Sequence, residues 1–93
     1  YTPHLSERLV IRRIPRDLPR IVFEQARTRL IDTTSGLHVA VLRTNFKNRK
    51  REIALIYRQE QHTVTFITIH PLKTGQLQNR INAGRWALLP QRH

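Results

Sequence analysis

The chain has no cysteine, which excludes a disulfide framework, a zinc site built on thiolates and a thiol nucleophile. Methionine is absent too, so Tyr1 is not expected to be the native start, and the chain reads as part of a longer product or one that has lost its first residues. Gly36, Gly75 and Gly84 are the only glycines; each is isolated turn or helix punctuation, so no phosphate-cradling loop exists and nucleotide hydrolysis is not expected. No run of about eighteen apolar residues is present to span a bilayer as a helix, and no signal or transit sequence is recognisable, so no membrane partner is expected. Acidic residues are few: six Asp and Glu stand against seventeen Lys and Arg, a net charge of +11.

That imbalance is the most informative property of the composition. Such an excess on a small domain repels itself and attracts phosphate. Fourteen of the seventeen cations are arginine, the side chain that forks onto phosphate and stacks on bases. An arginine-rich coding background and an acidic protein partner are the alternatives, but the charge runs through patterned segments and is not blocked into a tail. At 93 residues there is room for a single domain, 1–93, with one modest core burying about 60–65% of the unfolded surface. With 39% hydrophobic and 25% charged residues, it is expected to be soluble and globular.

The histidines His4, His38, His62, His70 and His93 show no His-x-x-x-His pair and no neighbouring acidic cluster, so neither a metal nor another cofactor is expected.

Along the chain, Thr2-Pro3 offers a helix start, followed by Leu5, Leu9 and Arg12 at helical spacing. His4 and Arg8, four apart, share one face of that helix and could reach one phosphate, or be two unrelated exposed residues. Asp17 is placed to cap a second helix, whose core stripe is Leu18, Ile21, Val22, Ala26 and Leu30. The run Asp32-Thr33-Thr34-Ser35-Gly36 reads as its stop and a turn. The period then falls to two, and strands are expected over 37–46, 52–58 and 63–70. Their connections, 47–50 and 59–62, are too short for parallel crossovers, so the strands form an antiparallel meander. The first connection, extended by Arg51, is a basic tip in which Lys50 and Arg51 are candidate phosphate contacts. After Pro71, Leu77 and Ile81 mark a short helix ended by Gly84. The expectation is an α+β fold: two N-terminal helices packed on a three- to four-stranded antiparallel sheet, with a short C-terminal helical segment.

The last third concentrates the chemistry. RNA carries its own nucleophile in the 2′-OH, so an enzyme acting on it need only move protons and stabilise charge. His70 is the best candidate for the general acid or base, an imidazole being the side chain whose ordinary pKa lies nearest neutrality; its alternative is a strand-end histidine held by a neighbour. His4 is the candidate second proton-transfer group. Arg8, Lys73, Arg80 and Arg85 would neutralise the phosphorane. Thr68 shares the strand face of His70 and could bond a phosphate oxygen. Gln76 shares a helix side with Lys73 and Arg80. Tyr57 is an alternative proton donor or a stacking surface. Trp86 either closes the core with its indole N–H pointing outward or serves as a platform for a base.

The His-x-x-x-Arg opening at His4 and Arg8, and the close of His70-Pro71-Leu72-Lys73, Gln76, Arg80-Ile81 and Gly84-Arg85-Trp86, resemble the RelE-like ribonuclease toxins of the barnase, EndoU, colicin and RelE superfamily. The element order resembles theirs over nearly the whole chain. The resemblance implies a sheet face that cradles RNA, metal-independent endoribonuclease cleavage leaving a 2′,3′-cyclic phosphate, and an acidic antitoxin or immunity protein as partner. The RNA would be tRNA or mRNA, and the compartment the cytoplasm, reached directly or by delivery as the C-terminal domain of a larger effector. Two other classes stay open: a non-catalytic nucleic-acid-binding module, and a ParE-like toxin acting on a protein target.

Overall fold

In the computed structural model, which describes residues 3–11 and 14–90 except the side chains of His4, Arg8, Val10 and Ile11, three helices and five strands alternate unevenly along the chain. They are α1 (Pro3–Ile11), α2 (Leu18–Gln25), β1 (Thr28–Asp32), β2 (His38–Phe46), β3 (Arg49–Gln59), β4 (Val64–Pro71), α3 (Gln76–Asn82) and β5 (Trp86–Leu88). The strands form one sheet in the order β4-β3-β2-β1-β5, and every neighbouring pair is antiparallel. The expected α+β class and antiparallel meander are therefore present. The strand count is corrected from three or four to five.

Both added strands come from segments whose pattern is ambiguous. Leu30 lies four residues after Ala26 and so continues the helical stripe on paper, yet the chain turns extended at Ala26 (φ −62°, ψ 128°) and α2 ends at Gln25. Leu30 is then fully buried in β1, in a cluster with Val39, Val41, Ala54, Leu72 and Trp86. Of the rest of the stripe, Leu18 and Val22 are buried and Ala26 packs partly buried against the core, whereas Ile21 is half-buried and outside both clusters, Phe23 packing against the core instead. Asp32 to Gly36 is a turn as expected, but it closes the β1–β2 hairpin and does not stop a helix. The Asp32 carboxylate accepts from the amides of Thr34 (2.9 Å) and Ser35 (3.0 Å), the side-chain turn that Asp forms readily. The Ser35 amide foremost, with Thr34 and lesser help from the Trp86 indole, holds this carboxyl below its ordinary pKa against the opposing effect of burial. Its contribution to stability is accordingly present above the ordinary carboxylate range and lost as pH falls through the lowered value.

The two faces of the sheet have different cover. On the first, Leu5 and Leu9 of α1, four residues apart and thus on one side of the helix, join Ile14, Leu18 and Val22 over Ala40, Ile53, Leu55, Tyr57 and Ile69. The two N-terminal helices pack on this face as the apolar spacing requires. Thr2 and Arg12, expected near the ends of the first helix, lie outside the described residues. Asp17 occupies the N-cap position of α2 but makes no side-chain cap bond, which corrects the capping role. On the second face α3 lays Leu77 and Ile81 against the Leu30 cluster. The helix ends at Ala83, and Gly84 follows at φ +75°, the left-handed position that glycine adopts without a Cβ penalty.

The β2–β3 register is set by its turn. Lys47 and Asn48 both have positive φ, 50° and 66°, the geometry of a two-residue type I′ hairpin, whose twist matches that of the strands. Phe46 therefore faces Arg49, and the ladder runs back through Arg43–Glu52 to His38–Tyr57. Lys50 and Arg51 are thus strand residues of the hairpin arm. The expected four-residue loop at 47–50 shrinks to two.

Candidate nucleic-acid interface

Where β4 stops at Pro71, opposite Ile53, β3 continues without a strand on that side. The chain leaving β4 bends across the gap: the Leu72 amide donates to the Glu52 carbonyl at 2.7 Å, and the Arg51 guanidinium donates to the Leu72 carbonyl at 3.2 Å. Between this segment and the hairpin arm lies a cleft of about 360 Å³ lined by Arg43, Arg49, Lys50, Arg51, Lys73 and one carboxylate, Glu52, with Thr74 and Gly75 at its rim. Arg49, Lys50 and Lys73 are exposed. Five cations around one concave surface raise the local potential well above that of scattered charges, because low-dielectric walls focus the field.

Several expected site residues meet here. Lys73, Lys50 and Arg51 line the cleft. His70 faces Ala54 across the β3–β4 pair, two residues along β3 from Glu52 and so on the same face, about 7 Å away by strand rise. It adjoins the cleft and does not line it. Thr68, opposite Ile56, shares that face one step further. Gln76 turns its side-chain oxygen to the Lys73 amide at 2.9 Å, fixing the approach to α3.

Others are placed elsewhere. Arg80 lies on α3 with its guanidinium over the Trp86 ring, 4.7 Å from the centroid. Arg85 adjoins the β1–β2 turn, where its carbonyl accepts from the Thr33 amide at 2.9 Å. Glu52 pairs with Arg43, and Trp86 pairs with Asp32, whose amide bonds the Leu37 carbonyl. The two ends are therefore six positions apart along the line from Leu37 to Arg43, and β5 lies three strands from β3 in the sheet. Of the expected group His70, Lys73, Arg80 and Arg85, only Lys73 lines the cleft. His4 and Arg8 both belong to α1, but their side chains lie outside the described residues.

The two aromatic candidates are interior. Tyr57 is 3% exposed, edge-on to Phe23 at 5.1 Å and stacked by His38 at 5.3 Å. Its hydroxyl accepts from Arg29 at 3.3 Å, and the same guanidinium bonds the Phe23 carbonyl. It lies on the helix-covered face and ties β1 to α2, which corrects its role as proton donor or stacking surface. Trp86 is 1% exposed and closes the second core, which corrects its role as a base platform. Its indole N–H is buried without a hydrogen-bond partner; the Asp32 carboxylate across the β1–β5 pair is near enough to feel it but does not complete a bond. Trp86→Phe is expected to cost about 1–2 kcal/mol in stability for lost volume and, if the chain binds RNA as its charge leads one to expect, to leave that affinity unchanged. A selective fall in affinity in a titration would restore the platform role.

Sequence reasoning passed over Arg43 and Glu52, and took Arg49 only as part of the basic tip. A signal was present: once Lys47-Asn48 is taken as a two-residue turn, Arg43 must face Glu52 and lie beside Arg51 and Lys50. Among the described residues no group of three or more His, Asp or Glu is placed to hold a metal ion, and no helix is long and apolar enough to cross a membrane. Set against known proteins, the chain matches no family model, no curated protein and no solved structure.

Proposed function

We propose that this domain binds RNA in the basic cleft and cleaves it without a metal, as a ribonuclease toxin similar to the RelE-like group, neutralised by an acidic antitoxin or immunity protein. The observation that carries the reading is the cleft itself, five Lys and Arg against one Glu in about 360 Å³, with His70 on the adjoining strand face. In the reaction the ribose 2′-OH attacks the adjacent phosphorus and loses its proton to a base. The 5′-oxygen departs with a proton from an acid, leaving a 2′,3′-cyclic phosphate. His70 takes one of those proton transfers. Lys73 and Arg51, with Arg43 across the arm, stabilise the charge that builds on the phosphorane.

A second reading, a non-catalytic RNA-binding module, is favoured by the positions of Arg80 and Arg85, which leave the cleft with a smaller cationic cradle than a converged site would have. Cleavage assays on wild type and His70 variants separate the two. Salt dependence tests the binding common to both. Each phosphate neutralised contributes about −0.9 on a duplex or −0.7 on a single strand to the slope of log affinity against log salt, so four to six contacts give roughly −4 to −5 or −3 to −4. A flat response would mean that the charge serves a protein partner, as in a ParE-like toxin.

A further inference from the structure

The β2–β3 hairpin outruns its neighbours. β1 pairs with β2 no further than Thr28 opposite Val41, and β4 with β3 no further than Ile53 opposite Pro71. β2 and β3 stay paired through Arg43–Glu52, Thr44–Arg51 and Asn45–Lys50 to Phe46–Arg49. Residues 43–52 are therefore a two-stranded ribbon rooted at the Leu72–Glu52 bond, reaching on the order of 13–15 Å beyond the sheet with its turn. Half of those ten residues are Lys or Arg. Phe46, 7% exposed in the first core, anchors the backbone of the arm near its tip, and by register Arg49 and Arg51 stand on the Phe46 side of the ribbon while Arg43 and Lys50 stand on the other. Arg49 and Arg51 recur at a two-residue interval, about 6.7 Å, a repeat comparable with successive phosphates on a regular backbone.

The aromatic inventory points the same way. Trp86, Tyr57 and Phe46 are buried, and Phe23 and Phe66 pack partly buried against the core. Among the described residues no Phe, Tyr or Trp is exposed. Recognition of single strands relies on unstacked bases laid on such rings. A surface rich in cations and without exposed aromatic rings grips phosphate first, leaving only arginine planes to meet a base. An A-form stem offers phosphates already ordered in two rows, whereas a single strand must lose conformational freedom to lie along the ribbon.

Resting on the RNA-binding reading above, we infer that the ligand of this ribbon and cleft is a double-stranded RNA stem, tracked along its phosphate backbone independently of sequence. The stem is what the domain holds. The scissile linkage lies beyond its end, where an unpaired nucleotide can bring its 2′-OH in line with the phosphate.

Equilibrium titration of the whole chain with a short RNA stem, its separated strands, a stem of unrelated sequence and the matching DNA stem tests this. The RNA stem is expected to bind at least about tenfold more tightly than either strand, with the unrelated stem within about threefold, because phosphate contacts carry no sequence information. Reversing two exposed charges in Arg49→Glu/Lys50→Glu should lower stem affinity at least about tenfold and flatten the log–log salt slope by about 1.8, with an unchanged thermal transition. If that pair misfolds, Lys47→Glu at the exposed tip makes the same test with one contact, about 0.9 in slope. Equal or tighter binding of single strands, tighter binding of the DNA stem, or unchanged affinity in a folded ribbon variant would overturn the inference while leaving RNA binding in place. No binding to RNA of either form would instead remove the reading on which it rests.

Discussion

Val22→Asp is expected to abolish the cooperative folding transition of this domain. Val22 is fully buried on α2, in one cluster with Leu5, Leu9 and Leu18 above and Leu55 and Ile69 below. Among the described residues the cluster around Val22 is apolar except for the Tyr57 hydroxyl, which the Arg29 guanidinium already engages, so a carboxylate there would enter an environment built without a place for it. An unpaired buried charge costs several kcal/mol, against a total stability of about 5–15 kcal/mol for a domain of this kind. Val22→Ala, which removes volume without adding charge, should cost only about 1–3 kcal/mol and keep a sharp urea transition at a lower midpoint. A Val22→Asp chain that unfolds cooperatively near the wild-type midpoint would mean that α2 does not seal the first core.

Loss of cleavage in His70→Ala is the second large expected effect, by about 10²–10⁴ in rate, the range that a positioned proton-transfer group contributes. RNA affinity should fall little, because the cations lining the proposed binding cleft are on the arm and at Lys73. Lys73→Ala should lower both rate and affinity, and the Lys73/His70 double substitution should be less than additive if the two serve one phosphate. Arg85→Ala should change cleavage far less than Lys73→Ala, since Arg85 is rooted beside Thr33 at the other end of the sheet. A substrate with 2′-deoxyribose at the cut site must resist, its nucleophile being gone, and a chelator must leave activity intact. Full activity in His70→Ala, cleavage of the deoxy substrate or inhibition by chelator would each remove this mechanism, leaving the binding module or the protein-directed toxin.

Segments whose period was unambiguous could be read directly. The alternation in 37–46, 52–58 and 63–70 corresponds to β2, β3 and β4 within a few residues, and Leu77, Ile81 and Gly84 mark α3 and its end. Thr28 to Asp32 was misread because Leu30 satisfies both periods: it is four from Ala26 for a helix and two from Thr28 and Asp32 for a strand. No glycine or proline between Gln25 and Thr28 announces the break. β5, three residues long, is too short to show any period. For the site, residue type was legible and position was not. His70, Lys73, Lys50 and Arg51 were legible as candidates, whereas Tyr57 and Trp86, which have the same apparent suitability for stacking, went to the interior.

Sequence by itself determined what depends on composition and local spacing: the excess of arginine, the two amphipathic N-terminal helices, the antiparallel meander and the glycine-ended third helix. Each follows from charge counts or from periods that a chain expresses over a few turns. Tertiary structure alone decided which cations share a cleft and which aromatics are buried, because both depend on register and on the side of the sheet to which a segment returns. A two-residue turn at Lys47-Asn48 brings Arg43 beside Glu52 and the Leu72–Gly75 segment, and the crossing of α3 to β5 carries Arg85 away to Thr33 while seating Trp86 over Leu30. Those contacts join residues far apart in sequence, where periodicity carries no information and only closure of the sheet selects the neighbour.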